Sequence, residues 1–270
     1  MFFRAVYLFK PVQSLGLWFR LPKERIDILL VERGLAQTRQ KAQALLMAGL
    51  VRVNGLVVDK PGRLVDLSAS IDALNRERLF VGRGGEKLSA ALDHFGIDVS
   101  GLVAVDIGSS TGGFVDCLLQ RGVSLVYAID SGKNQLDFRL RQSSKVLSRE
   151  GTNARYLEPG SLNPAPEIAT MDLSFISIRK VLPAVLGVLK PNSQLVVLVK
   201  PQFELGPESV SKGGVVREEA KRQEAVRLVS EAAKRLGCQV SDAFPSPITG
   251  LKKGNQEYLL HIQGPSFGSR

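Results

Sequence analysis

Histidine and cysteine are scarce in this chain, with two of each among 270 residues. Cys117 and Cys238 lie in apolar, helix-like patterns with no histidine nearby. A zinc site and a thiol catalyst therefore lack their residues, and both cysteines read as small buried hydrophobes. His94 and His261 stand among apolar neighbours and read as structural; no metal site is expected. No Gly-x-Ser-x-Gly elbow occurs, which removes a common serine-hydrolase arrangement. No apolar run approaches the roughly 20 residues that cross a bilayer as a helix. Acidic residues are missing from positions 1–23, where Arg4, Lys10, Arg20 and Lys23 stand among six aromatic side chains. Pro11 interrupts that stretch and no cleavage pattern follows, so it reads as an extension rather than a secretory signal. A cytoplasmic location is the expectation.

Positive charge is what the chain has in excess: 36 Lys and Arg against 26 Asp and Glu, a net +10. That balance favours a polyanionic partner, nucleic acid first and an anionic membrane surface second. The length suits one α/β domain with a small companion. The expected divisions are an extension at 1–23, a compact unit at 24–66, a polar linker at 67–82, a large domain at 83–263 and a tail at 264–270.

In the compact unit, Ile26, Leu29, Leu30 and Leu35 suggest one short helix. Thr38 stands at an N-cap position before a second helix through Ala42, Leu45 and Leu46, which ends at Gly49. Asn54-Gly55 between the runs Leu50–Val53 and Leu56–Val58 is a strong hairpin signal. Arg39, Lys41, Arg52, Lys60 and Arg63 are expected to cluster on one side of this unit. The run Thr38-Arg-Gln-Lys-Ala42, Leu45-Leu46 and Gly49-Leu-Val-Arg-Val-Asn-Gly55 resembles the S4 RNA-binding domain. The resemblance implies that basic side chains dock structured RNA. Arg25, Arg83, Arg155 and Lys212 complete the expected set of nucleic-acid contacts.

From residue 101 onward, strand-like and helix-like patterns alternate, which predicts a parallel sheet with helices on both faces. Strands are expected at 102–107, 125–129, 145–148, 168–172, 194–199, 238–243 and 257–262. Helices are expected around 113–121, 134–141, 178–189 and 217–236, with one more opening at Gly82-Arg-Gly-Gly85 and running through Phe95. After the first strand comes Asp106-Ile-Gly108-Ser109-Ser110-Thr111-Gly112-Gly113-Phe114. A glycine turn between strand and helix brings backbone and free helix N–H groups close to a ligand. Asp130 ends the second strand, where an acid typically grips ribose hydroxyls. A dinucleotide fingerprint needs Gly-x-Gly-x-x-Gly, whereas here Gly108 is followed by three residues before Gly112. The spacing points instead to S-adenosylmethionine. Asn153, at the third strand's tip, is either a cofactor contact or an ordinary turn residue.

Lys87, Asp172, Lys200 and Glu257 surround the same predicted sheet edge. A lysine amine beside a second cation and a dehydrated wall is a general means of taking a proton from an alcohol. This set resembles the Lys-Asp-Lys-Glu tetrad of FtsJ-like 2′-O-ribose RNA methyltransferases. With Arg83–Leu88, Asp172–Ser177, Val199–Glu204, Lys212–Arg217, Ser246–Gly250 and Gly254–Glu257, the pattern resembles the hemolysin A (TlyA) family over about residues 24–263. The resemblance implies a Rossmann-like α/β methyltransferase sheet with an N-terminal α+β S4-like domain. It also implies methylation of a ribosomal RNA cytidine on free RNA or ribosomal subunits. Two stretches depart from the family pattern: Phe80-Val81-Gly82, and Ser131-Gly-Lys-Asn-Gln-Leu136 next to the adenosine pocket. From the residues alone, a membrane-active cytolysin and a non-catalytic RNA-binding protein stay open.

Overall fold

The computed structural model describes residues 22–73, 79–211, 213–248 and 254–266. The chain separates into two compact units, residues 1–77 and 78–270. Lys212, most of the N-terminal extension and the last residues of the tail lie outside the described residues.

The first unit contains β1 (Lys23–Arg25), α1 (Ile26–Glu32), α2 (Arg39–Met47), β2 (Val51–Val53), β3 (Leu56–Val57), β4 (Leu64–Asp66) and β5 (Ile71–Ala73). Thr38 caps α2 by accepting a hydrogen bond from the Lys41 amide. Asn54 and Gly55 have φ of 50° and 80°, the left-handed pair that a two-residue hairpin turn requires. β1 pairs antiparallel with β4, and β2 lies between β3 and β5. Ile26, Leu29, Leu30, Ala42, Leu46, Val51 and Ile71 form the core. The 67–82 stretch, expected as linker, contributes β5: Ile71 is buried, and the Asn54 side chain accepts from the Ser70 amide at 2.9 Å. The polar composition of that stretch concealed a strand that closes the small sheet.

The second unit holds α3 (Gly84–Phe95), β6 (Val103–Ile107), α4 (Gly113–Gln120), β7 (Leu125–Asp130), α5 (Phe138–Arg141), β8 (Val146–Glu150), β9 (Ile168–Met171), α6 (Leu182–Val188), β10 (Gln194–Val199), α7 (Pro201–Glu204), α8 (Glu219–Arg235), β11 (Gln239–Val240), β12 (Phe244–Pro245) and β13 (Tyr258–Gln263). Strand order is β11-β13-β10-β9-β6-β7-β8, with β12 also on β13. The pairs from β10 through β8 are parallel. β13 pairs antiparallel with β10, β11 and β12. The sheet is therefore mixed, unlike the parallel sheet expected from the alternating pattern. A short return through β11 and β12 brings the chain back antiparallel, which a helical crossover would not.

Side chains alternate between two cores. Val105, Ile107, Ala169, Met171, Leu195, Val197, Leu260 and Ile262 face the side with α6 and α8. Ala104, Ile168, Val196, Leu198 and Leu259 face α3 and α4. By the same period of two, Asp106, Asp172, Lys200 and Glu257 fall in phase with the α3 side. The helix expected over 134–141 shortens to α5. Asn134 takes φ of 59°, and Glu150 accepts the amides of Asn134, Gln135 and Leu136, so these residues form a loop. The expected 238–243 strand shortens to β11, and β12 follows beyond it.

Candidate active site

β6 and β9 are neighbours, with later strands running outward on one side and β7 and β8 on the other. That reversal is the switch point at which an open α/β sheet leaves a crevice beyond its carboxyl edge. A cleft of about 680 Å³ lies there. Lys87, Asp172, Lys200 and Glu257 all line it, as do Asp106, Gly108, Ser109, Ser110, Thr111, Gly113 and Phe114. Gly112, Asp130 and Asn153 of the expected cofactor set do not. Arg83, expected at an RNA surface, lines the same cleft.

Glycines make the cleft floor. Gly108 has φ of 83°, and a Cβ there would stand 2.5 Å from the Asp172 carbonyl oxygen. Gly112, at φ of 96°, packs where a Cβ would strike Leu140 and Leu136. Gly82, Gly84 and Gly85 let the start of α3 pack on Thr111, Gly113, Phe114 and Phe80, which brings Lys87 to the sheet edge. The turn was expected to bring backbone and the free N–H groups of the helix start close to a ligand, and its own amides are mostly engaged. Gly108 and Ser109 donate to the Ile129 carbonyl, Ser110 to Asp130 Oδ2 at 2.8 Å, and Gly112 to the Ser109 carbonyl. The turn's first amides are thus committed to β7 and to the turn itself. No acceptor among the described residues takes the amides of Gly113, Phe114 and Val115 at the start of α4.

Asp130 therefore holds two loops, its other oxygen accepting from the Gly132 amide at 2.6 Å. Asn153 accepts from the Arg155 amide and caps a 3₁₀ turn at Ala154–Tyr156. Asp106 is fully buried. Its Oδ1 accepts from Thr170 Oγ1 at 2.6 Å, whereas Oδ2 has no hydrogen-bond partner. Burial, chiefly, with the charges of Asp172 and Asp130, pushes its carboxyl up to about 7 against the Thr170 hydrogen bond. A buried acceptor without a partner is costly, and a bound donor would satisfy it.

Two ion pairs face the cleft. Lys87 Nζ lies 2.5 Å from Glu257 Oε2, with both side chains nearly buried. Lys200 Nζ lies 2.6 Å from Asp172 Oδ1 without hydrogen-bond alignment, and donates to Ser174 Oγ at 2.9 Å. At the rim, Phe175 is 90% exposed at φ of 67°, tilted against Phe203 with centroids 5.3 Å apart. Sequence reasoning missed this aromatic surface, because a phenylalanine inside a motif ordinarily reads as core. Behind it a second basin is lined by Arg155, Arg179 and Lys180, with Phe175 and Phe203 shared between the two. Asn255 is buried and fixes the glycine loop beside the cleft, accepting from the Val216 amide and donating to the Gly214 carbonyl.

The expected RNA-contact residues of the first unit divide into two groups. Arg25 and Arg39, with Gln43, converge on the fully buried Asp27 at 3.0–3.1 Å. The Arg25 hydrogen bonds foremost hold that carboxyl far below the usual range. Lys41 donates to Gln37, and Arg52 to the Gly55 carbonyl, while Lys60 and Arg63 are exposed. Among the described residues, no group of three or more His, Cys, Asp or Glu side chains could hold a metal ion. No helix among them is long and apolar enough to cross a membrane.

The FtsJ-like methyltransferase family profile matches residues 80–263, and the S4 domain profile matches residues 24–71. The chain is 45% identical to a Bacillus subtilis protein provisionally named an rRNA methyltransferase, YqxC, over 91% of this chain and 88% of that one. It is 42% identical to the 16S/23S rRNA (cytidine-2′-O)-methyltransferase TlyA of Mycobacterium tuberculosis, over 89% and 90%. A solved Streptococcus thermophilus structure, provisionally named a hemolysin, superposes with a TM-score of 0.71 at 42% identity, covering 91% of this chain and 90% of that one.

Proposed function

The chain belongs to the hemolysin A (TlyA) family of S4-containing, S-adenosylmethionine-dependent FtsJ-like methyltransferases, and from that premise we propose that it methylates a ribose 2′-hydroxyl, on a cytidine, in ribosomal RNA. The observation that carries the reading is the meeting of Lys87, Asp172, Lys200 and Glu257 with the glycine turn in one cleft. A ribosomal RNA partner favours a cytoplasmic location.

The residues fit the cofactor. Gly108 lets the turn close against the Asp172 backbone, and Asp106 offers a buried, unpartnered oxygen to a donor. When bound, S-adenosylmethionine supplies an activated methyl group whose transfer to an alcohol needs no metal. The chain's own task is to align the ribose oxygen and to receive its proton. Lys200 Nζ is the group assigned to that proton, and Asp172 and Ser174 fix its direction. The Lys87–Glu257 pair walls the other side of the cleft with a neutralised, water-poor contact that strengthens nearby electrostatics. The exposed Phe175 ring, backed by Phe203, offers a stacking face to a base turned out of its stack.

The test combines labelled S-adenosylmethionine with unmodified ribosomal subunits, using wild type beside Lys200→Ala and Asp172→Ala. Wild type is expected to label RNA at a ribose 2′-oxygen, and each variant to lose about 100-fold or more in rate. No label in RNA from either subunit, or undiminished label with both variants, would sink the reading.

A further inference from the structure

Three links join the segment after β9 to the segment after β10, and only the first contains residues of the proposed chemistry. Lys200 reaches across to Asp172 and Ser174. Next along, Phe203 meets Phe175. The third link is Glu204, which is 3% exposed and does not line the principal cleft. Its Oε2 accepts from Ser177 Oγ at 2.5 Å and its Oε1 from the Ile178 amide at 2.8 Å. Arg179 Nε approaches Oε2 at 3.3 Å, and Arg179 Nη2 donates to the Glu204 carbonyl at 2.8 Å. Burial pushes the Glu204 carboxyl up, while these donors hold it down.

A buried carboxylate with this many donors is an expensive way to fill space, and an apolar side chain would do so at lower cost. Its location suggests what it accomplishes. Lys200 caps α7 and Glu204 ends it, so both sit on one short, stiff turn. Asp172 and Ile178 likewise bound one short segment, with Phe175 between them in a left-handed conformation that a bulky residue keeps only when its neighbours over-determine it.

We infer that Glu204 is a positioning residue for methyl transfer: by gripping Ser177 and the Ile178 amide, it registers residues 172–178 against α7. The grip holds Asp172 on Lys200 and keeps Phe175 at the rim. The inference rests on the proposed reading of the cleft. Misplacement of reacting groups by about 1 Å can cost 100-fold in rate, so a loosened grip acts on kcat rather than on donor binding.

The experiment measures kcat and KM for ribosomal RNA, together with S-adenosylmethionine affinity by calorimetry, in Glu204→Ala, Glu204→Gln and Ser177→Ala. Glu204→Ala is expected to lower kcat about 30-fold or more while donor affinity stays within about twofold, because the glycine turn is untouched. Glu204→Gln keeps an acceptor for Ile178 and a partner for Ser177, so it should stay within about threefold of wild type, with Ser177→Ala between the two. A kcat for Glu204→Ala within about twofold of wild type, or a parallel loss of donor affinity, overturns the inference and leaves a purely structural role. Should Glu204→Ala fail to fold, Ser177→Ala decides: full wild-type kcat overturns the inference. Absence of transfer by wild type would overturn the methyltransferase reading and this inference with it. Transfer by wild type together with a near-wild-type kcat in Glu204→Ala overturns this inference alone.

Discussion

Asp106 shows how much one side chain can report about its ligand. Its carboxyl, pushed up to about 7, carries a proton in the ligand-free fold across a range where the unfolded chain has already lost it. Between the ordinary aspartate value near 4 and about 7, the folded state therefore binds more protons. Ligand-free stability from this group is full below about pH 4, falls as pH rises, and levels off above about pH 7. Thermal unfolding should show a falling Tm from about pH 5 to about pH 7.5, and Asp106→Asn should remove that component of the slope. A slope unchanged in the variant would refute the assignment. A donor presented to the free Oδ2 favours the ionised carboxylate, so S-adenosylmethionine should bind more tightly above pH 7 than below it. Calorimetry near pH 7 in buffers of unequal ionisation enthalpy should then register a released proton, which Asp106→Asn abolishes.

Elements were legible in the sequence where one physical signal dominated them. Strands β6, β7, β9 and β10 are continuous apolar runs because both of their faces are buried, and the acids and lysine at their tips followed directly. Strand direction leaves no such mark: β13 reads as apolar whether it runs parallel or antiparallel. β5 was hidden by polar neighbours, although Ile71 and the Ser70–Asn54 bond make it part of the small sheet. The shortening to α5 depends on Glu150, a residue distant in sequence that gathers three amides no local pattern assigns to it. Glu204 and Phe175 escaped for a similar reason, since burial of an acid and exposure of an aromatic both contradict the usual sense of those residue types. The glycine turn was legible and is the element most open to test. In Gly108→Ala the new Cβ would meet the Asp172 carbonyl at 2.5 Å, from a backbone already at φ of 83°. The expected result is at least about tenfold weaker donor binding, together with lost transfer as Asp172 is displaced. Calorimetry showing wild-type affinity would mean that the turn does not shape the donor's seat.

At the scale of the whole chain, a net +10 predicts steeply salt-dependent RNA binding, with log affinity falling by about 0.9 per log salt for each phosphate neutralised on a duplex and about 0.7 on a single strand. The cations are not equivalent, however, because some are already committed within the fold. Arg25 and Arg39 supply hydrogen bonds to the buried Asp27, so removing either should destabilise the first unit and depress its Tm. Lys60 and Arg63 are exposed, and their removal should leave Tm unchanged. Arg155 and Lys180 are exposed too and line the second basin. Filter binding of protein-free ribosomal RNA across a salt series separates these cases. Lys60→Ala and Arg63→Ala should each flatten the slope by about 1, and Arg155→Ala with Lys180→Ala by about 2 together. A slope unchanged by Lys60→Ala and Arg63→Ala, beside one flattened by the basin pair, would assign RNA docking to the methyltransferase unit. Arg25 and Arg39 would then serve the first unit's own stability through Asp27, and Lys60 and Arg63 neither stability nor docking.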